Sequence, residues 1–264
     1  MIQHWALPQN DRWSTPFAEV LIRQLDLFPG ASVLDVASGG GVPAFYLADR
    51  VGPDGRVLAV DIHPHQVLRG NSLKGGRFPW LQFEVGDMKN LPETLPRFDR
   101  ITGNLSFMFF RPDRPQALKS LVRFLKPGGQ IVLTFPSRGT FDSLWNLVDR
   151  EMTARKLERE RLALHEYLEE RPSAEHARTW LQECGLEQVD VNEVPLEVKT
   201  GPGREFLEHP LLRGGFLDDI YECFEDPVLA EEFMQKIAAD TSRFTPLHAM
   251  RCAMSGWAPQ TTGD

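Results

Sequence analysis

The chain has 264 residues, of which 42% are hydrophobic and 25% charged, and its formal net charge is -8. That is enough apolar material for a full α/β core, and it excludes a disordered or fibrous chain. The acidic balance argues against a general nucleic-acid surface, which needs basic stripes, and no apolar run nears the ~18 residues of a membrane-spanning helix.

Residues 1–30 precede the first strand. The spacing of Phe17, Val20, Leu21, Leu25 and Leu27 predicts an amphipathic helix from Ser14 to Leu27, with Ser14 as N-cap and Pro16 in the first turn. His4, Trp5 and Trp13 lie ahead of it; the plain expectation is a surface segment whose tryptophans pack back on the domain. The opening MIQHWALPQNDRW has no basic stretch followed by an apolar core, so no signal peptide is expected. Cys184, Cys223 and Cys252 are scattered and odd in number, which suits reduced, buried thiols in the cytoplasm. No Cys/His spacing suggests a metal site.

Ala31 to Asp61 reads as one complete β-α-β unit. Val33, Leu34 and Val36 form a short apolar run, as in a strand buried on both faces. Ser38-Gly39-Gly40-Gly41 is a turn whose glycines let backbone approach a ligand. Pro43 opens a helix to about Val51, Gly52-Pro53-Asp54-Gly55 stops it, and Arg56–Val60 is the second strand, ending in Asp61. An acid there, about 20 residues after a glycine turn, is placed to accept from ribose hydroxyls. Two cofactor classes use that geometry. Gly39-x-Gly41-x-x-Ala44 fits the dinucleotide pattern with alanine in the third place. But Asp35 ends the first strand, four residues ahead of Gly39. A carboxylate beside the turn would repel a pyrophosphate and suits a cationic ligand instead.

Pro64 opens a third helix to about Leu73, with His63 and His65 as exposed turn residues. Leu81–Val85 alternates as a third strand and ends in Gly86-Asp87-Met88, where Asp87 either caps its own turn or contacts ligand. Asp35, Asp61 and Asp87 would then share one rim of a parallel sheet, where open α/β folds bind ligands. Phe98–Asn104 is the fourth strand and its end, followed by the apolar Leu105–Phe110. A helix from Pro115 to Phe124 leads into Leu125-Lys126-Pro127-Gly128-Gly129, read as a tight turn feeding the strand Gln130–Phe135. Phe141–Glu170 is one or two helices, the second a charged, solvated face carrying His165 and Tyr167. Ser173 caps a helix ending at Gly185, and Leu186–Val198 is the sixth strand. Residues 199–245 form an insertion with short helices near Asp218–Phe224 and Asp226–Ala239; Leu247–Trp257 is the seventh strand, followed by a polar tail.

The pattern Val-Leu-Asp-x-x-x-Gly-x-Gly, the acid Asp61, the triplet Gly86-Asp87-Met88, Phe98-Asp99 leading to Asn104, and Leu-Lys-Pro-Gly-Gly before the fifth strand resemble class I S-adenosylmethionine-dependent methyltransferases, in the small-molecule branch that includes ubiquinone and menaquinone enzymes. One departure is Ala37, where the family has the first glycine of its loop. The resemblance implies a Rossmann-like, seven-stranded, mostly parallel sheet with helices on both faces and the last strand antiparallel, as a single domain over residues 1–264. Within it, residues 1–30 would be a lid, 31–198 the core, 199–245 a cover over the substrate site and 246–258 the last strand. It implies S-adenosylmethionine as cofactor, held by Asp35, Ala37, Ser38, Gly39 and Gly41. Asp61 would hold the ribose, and Ile62, Gln66, Gly86, Asp87 and Met88 would surround the adenine. Asn104 and Leu105 would face the methionine end. Trp5, Phe107, Phe109 and Phe135 are candidates for a greasy acceptor wall. The expected activity is methyl transfer to a small hydrophobic or aromatic acceptor, without nucleic acid and without a membrane span, and no residue singles itself out as a base. Two other readings stay open: a non-catalytic protein that binds the same cofactor, and an NAD-dependent oxidoreductase.

Overall fold

The computed structural model describes residues 13–110, 113–213 and 215–260. Helix α1 (Ser14–Gln24) leads into β1 (Ser32–Val36), α2 (Ala44–Val51), β2 (Arg56–Asp61), α3 (Pro64–Lys74), β3 (Leu81–Val85) and β4 (Phe98–Gly103). A 3-10 turn at Phe107–Phe110 precedes α4 (Arg114–Val122) and β5 (Leu125–Pro136). Then come α5 (Asp142–Ala154), α6 (Glu158–Glu170), α7 (Ala174–Glu183) and β6 (Glu187–Val198). The short α8 (Arg204–Leu207), α9 (Phe216–Glu222) and α10 (Pro227–Ala238) precede β7 (Leu247–Trp257).

The strands form a 7-stranded sheet in the order β3-β2-β1-β4-β5-β7-β6. The pairs β1·β2, β1·β4, β2·β3 and β4·β5 are parallel, and β5·β7 is antiparallel. The chain thus builds outward on one side through β3, then returns to lay β4 on the other side of β1. That reversal is the topological switch point where sheets of this kind leave a crevice at the C-terminal strand ends. Every residue of β1 is buried, because its alternate side chains feed two cores. Val33 joins Ala44, Phe45, Leu47, Val57, Phe78 and Phe83 beneath α2 and α3. Leu34 and Val36 join Ile101, Leu118, Leu121, Leu133 and Leu181 beneath α4 and α7.

The chain divides into two compact units. One holds the described residues of Met1–Pro136, Ser173–Val194 and Arg251–Asp264; the other is Ser137–Pro172 with Pro195–Met250. The second unit is therefore larger than the insertion expected at 199–245: the segment after β5 goes with it. Its aromatic pairs are Phe141–Phe216 at 4.8 Å, Trp145–Tyr167 at 5.7 Å, Phe206–Phe244 at 5.1 Å and Phe224–Phe233 at 5.3 Å between ring centroids. Buried Arg171 donates to the Thr140 and Ser137 carbonyls and lies over the rings of Trp145, Tyr167 and Phe216. Helix α6 buries only Leu164, as its charge density predicts, and its His165 Nε2 lies 2.6 Å from Asp149 Oδ1.

Two local expectations differ from the structure. Ser14 is the first helical residue rather than the cap, and Trp13 at the cap position makes no side-chain cap bond. Leu125–Gly129 is not a turn outside the sheet but the start of β5. Phe98 pairs with Leu125 and Arg100 with Gln130, so residues between them bulge out of the ladder. Gly128 takes φ +68° there, and its N–H reaches the carbonyls of Ala258 and Pro259.

Candidate functional site

The C-terminal ends of β1, β2 and β3 bring the expected acids to one rim. Asp35 is the penultimate residue of β1, Asp61 the last of β2, and Asp87 lies just beyond β3. Parallel register aligns Val36 with Val60 and Asp61 with Val85, and adjacent strands lie about 4.8 Å apart.

Asp35 is fully buried, and its Oδ1 accepts from Thr102 Oγ1 at 2.7 Å. Burial pushes its carboxyl up to about 7; the Thr102 bond works against this, and the Asp61 charge adds to it. Sequence reasoning passed over Thr102. The signal was there, since a polar residue inside a buried strand needs a partner, and the register sets Thr102 beside Asp35.

Asp61 fastens the glycine turn. Its Oδ2 accepts from Gly39 N–H at 2.8 Å, and its Oδ1 from His63 N–H at 2.9 Å, with His63 Nδ1 at 3.3 Å. The turn alternates left-handed positions, with φ +50° at Ala37, +53° at Gly39 and +107° at Gly41. Ala37 therefore holds a conformation that disfavours a Cβ by roughly 1 kcal/mol or more. The glycines differ in role. A Cβ on Gly39 would meet nothing within 4 Å, whereas one on Gly41 would run into the Phe45 ring. Gly40 has ordinary backbone, but its missing side chain leaves room for Arg69, whose Cδ lies 3.2 Å from where a Cβ would sit.

Ile62 is 57% exposed, Gln66 is half-buried on α3, and Gly86 N–H donates to the Asp61 carbonyl at 3.0 Å. Asp87 caps its own turn, accepting from Lys89 N–H at 2.9 Å and Asn90 Nδ2 at 2.7 Å. Met88 packs against the α4/α7 core. Asn104 is buried with its amide committed: Nδ2 donates to the Ser14 carbonyl at 2.8 Å and Oδ1 accepts from Thr134 Oγ1 at 2.9 Å. Leu105, at φ +55°, donates its N–H to the same Thr134 hydroxyl at 2.8 Å. The end of β4 is thus braced against α1, a link the sequence did not reveal.

The aromatic candidates separate. Phe107 and Phe135 are fully buried with tilted rings 5.1 Å apart, and Trp180 lies 5.5 Å from Phe107, so both belong to the core. Phe109 is 57% exposed. Trp5, and with it the N-terminal lid, lies outside the described residues.

Three buried polar atoms here have no hydrogen-bond partner: Asp35 Oδ2, Ser38 Oγ and Gln66 Oε1. Buried groups are left unsatisfied rarely, and each such atom asks for a ligand or water. All three can accept hydrogen bonds and the acid is one of them, so the set fits a ligand that brings donors and positive charge rather than a pyrophosphate.

Residues 33–129 match the family profile described as a methyltransferase domain. The chain is similar to methyltransferase GfsG of Streptomyces halstedii, 29% identical over 190 residues that cover 70% of this chain and 63% of that protein. It is also similar to nocamycin O-methyltransferase of Saccharothrix syringae, 32% identical over 123 residues that cover 46% of this chain and 43% of that one. The chain thus spans less than two thirds of either curated relative. In fold it resembles the YcgJ protein of Bacillus subtilis, with a TM-score of 0.60 at 16% identity over 93% of this chain and 99% of that one.

Proposed function

Because the chain belongs to the class I S-adenosylmethionine-dependent methyltransferases, with S-adenosylmethionine as its cofactor, we propose that it transfers a methyl group from that cofactor to a small hydrophobic or aromatic acceptor. The observation that carries the cofactor site is the group of unpartnered acceptors Asp35 Oδ2, Ser38 Oγ and Gln66 Oε1 beside Asp61. When bound, the cofactor supplies a methyl group already activated by a positively charged sulfur. The protein's tasks are then alignment and exclusion of water.

Asp61 holds the ribose, and its bond to Gly39 N–H fixes the turn while the remaining lone pairs stay available. Gly39 leaves open space for close approach. Asp35, which forms no ion pair among the described residues, places negative charge near the cationic end. Exposed Ile62 offers an apolar face, with Gln66 beside it and Asp87 across the rim, for the base. Asn104 and Leu105 act one step removed: their bonds to Thr134 and Ser14 set the shape of the wall at the methionine end. Of the aromatic candidates among the described residues, Phe107, Phe109 and Phe135, it is Phe109 that presents surface to an acceptor.

Thermal-shift measurement with S-adenosylhomocysteine and with NADH tests the cofactor reading. A clear stabilisation by the former alone is expected; stabilisation by NADH alone would turn the site over to a dinucleotide. Incubation with methyl-labelled S-adenosylmethionine and a panel of phenols, enols and apolar amines tests the acceptor class. Transfer confined to large polar or macromolecular acceptors would overturn it.

A further inference from the structure

Asp35 sits in an environment that suits its neutral form until something cationic arrives. It is fully buried, one oxygen accepts from the Thr102 hydroxyl, and the other has no partner. β1 is flanked by β4 and β2, which contribute Thr102 and Asp61. The glycine turn that leads to α2 contributes Ser38 Oγ, uncharged and also unpartnered. The charge that acts on Asp35 is therefore another carboxylate. His63 engages Asp61, at 3.3 Å from its Oδ1, and Arg69 lies over Gly40 on the turn. No Lys, Arg or His among the described residues forms an ion pair with Asp35. A carboxyl group desolvated beside a like charge takes up a proton, and a cation brought against it drives that proton off.

We propose that Asp35 carries a proton while the cofactor site is empty and releases it to solvent when the cofactor's cationic end enters. This rests on the S-adenosylmethionine reading above. The Asp35 O–H bond breaks, its electron pair stays on the carboxylate, and the proton passes to the buffer; no other bond changes. Cofactor binding thereby becomes proton-linked across the neutral range, and acidification alone weakens it. Burial and the neighbouring acid hold the group near 7 in the ligand-free protein.

Isothermal titration calorimetry of the full chain with S-adenosylmethionine, run in buffers of different ionisation enthalpy, reads the proton directly. At pH 6.5 about three quarters of a proton should be released per site, and the apparent affinity should weaken toward tenfold per pH unit below 7. Asp35→Asn should abolish the release and flatten the pH profile. Thr102→Val removes the bond that opposes the shift, so its release curve should move to higher pH; this variant keeps the test alive should Asp35→Asn fail to fold. His63→Gln should leave the wild-type release unchanged. Binding with a heat independent of buffer would overturn the proposal and leave the cofactor reading intact, whereas absence of binding at any pH would overturn that reading instead. Full release in Asp35→Asn, or its loss in His63→Gln, would move the proton to another group.

Discussion

Gly39 and Gly41 look interchangeable in the sequence, and the structure predicts that they fail in different ways. Gly39 has φ +53° and open space where a Cβ would go. Gly39→Ala therefore meets only the left-handed penalty, largely offset by the stiffer unfolded chain, so its net loss of stability should stay within about 1 kcal/mol. Gly41 has φ +107°, outside the region L residues reach even in left-handed turns, and an added Cβ would lie 2.9 Å from Phe45 Cδ2 and 3.0 Å from Phe83 Cζ. To the backbone strain is added overpacking of about 1–3 kcal/mol, so Gly41→Ala should lose at least about that much more than Gly39→Ala. Equilibrium urea unfolding measures both. Calorimetric titration with S-adenosylhomocysteine on folded protein should rank the pair the other way. The methyl of Gly39→Ala occupies space the cofactor needs, weakening binding on the order of tenfold or more, about 1.4 kcal/mol or above. Equal destabilisation by the two variants, or parental affinity in Gly39→Ala, would refute the division of labour.

Three further outcomes follow from named contacts. Asp61→Asn keeps one acceptor but turns an amide N–H toward either Gly39 or His63, so it should lose about 2 kcal/mol in urea unfolding along with most affinity for S-adenosylhomocysteine; unchanged values of both would detach Asp61 from the turn. Ala37→Gly relieves a left-handed alanine at φ +50° but frees the unfolded chain, two effects of about 1 kcal/mol that nearly cancel, so its calorimetric stability should stay within about 0.5 kcal/mol of the parent. Asp99 accepts from Ser32 N–H, Ser32 Oγ and Lys126 Nζ; burial works against these bonds, but they prevail and hold its carboxyl below the ordinary value of 3.8. A depressed acid contributes stability that is complete above its unfolded value and lost as pH falls through the folded one. Acid unfolding of Asp99→Asn should thus lack the part of the wild-type decline below pH ~4 that this group supplies, and an unaltered acid limb would exclude it.

Much of the first unit was legible because its signals are local. Strand β1 is an unbroken apolar run, the turn is spelled in glycine, and an acid closes each of β1 and β2, so element order and the rim of acids could be read from periodicity and spacing. What could not be read depended on partners distant in sequence. Asn104 reads as an amide facing the methionine end of the cofactor until its bonds to Ser14 and Thr134 are seen. Phe107 and Phe109 are neighbours in one apolar run, but the 3-10 turn at Phe107–Phe110 points the first into the core and leaves the second in solvent. The motif Leu125–Gly129 announced a chain reversal by composition. Its pairing to Phe98 and Arg100 makes it a bulge within the ladder, a distinction only the partner strand can draw. The second unit was hidden for the same reason: residues 137–172 and 195–250 meet through contacts that no local pattern encodes.

The two ends of the parallel sheet partner their acids differently, and this contrast argues that the C-terminal rim is the working one. At the N-terminal end the charged groups are well partnered, though Gln24 Oε1 there is also a buried acceptor without a partner. Asp99 takes three donors, and Arg100 lies over the rings of Phe28 and Trp257 at 5.0 and 4.9 Å while donating to the carbonyls of Asp26 and Asp99. At the C-terminal end a buried carboxyl is left with an idle oxygen, a serine hydroxyl and a glutamine carbonyl have no partner, and an alanine holds a backbone angle meant for glycine. Each of these features opposes folding by an amount of order 1–3 kcal/mol. A ligand at the C-terminal rim that brings donors and positive charge would relieve the unsatisfied oxygens there together. Folding and binding are thus coupled through the same atoms: the strain that destabilises the empty rim is the strain its ligand removes, so a saturating ligand should raise stability most at the pH where Asp35 is ionised.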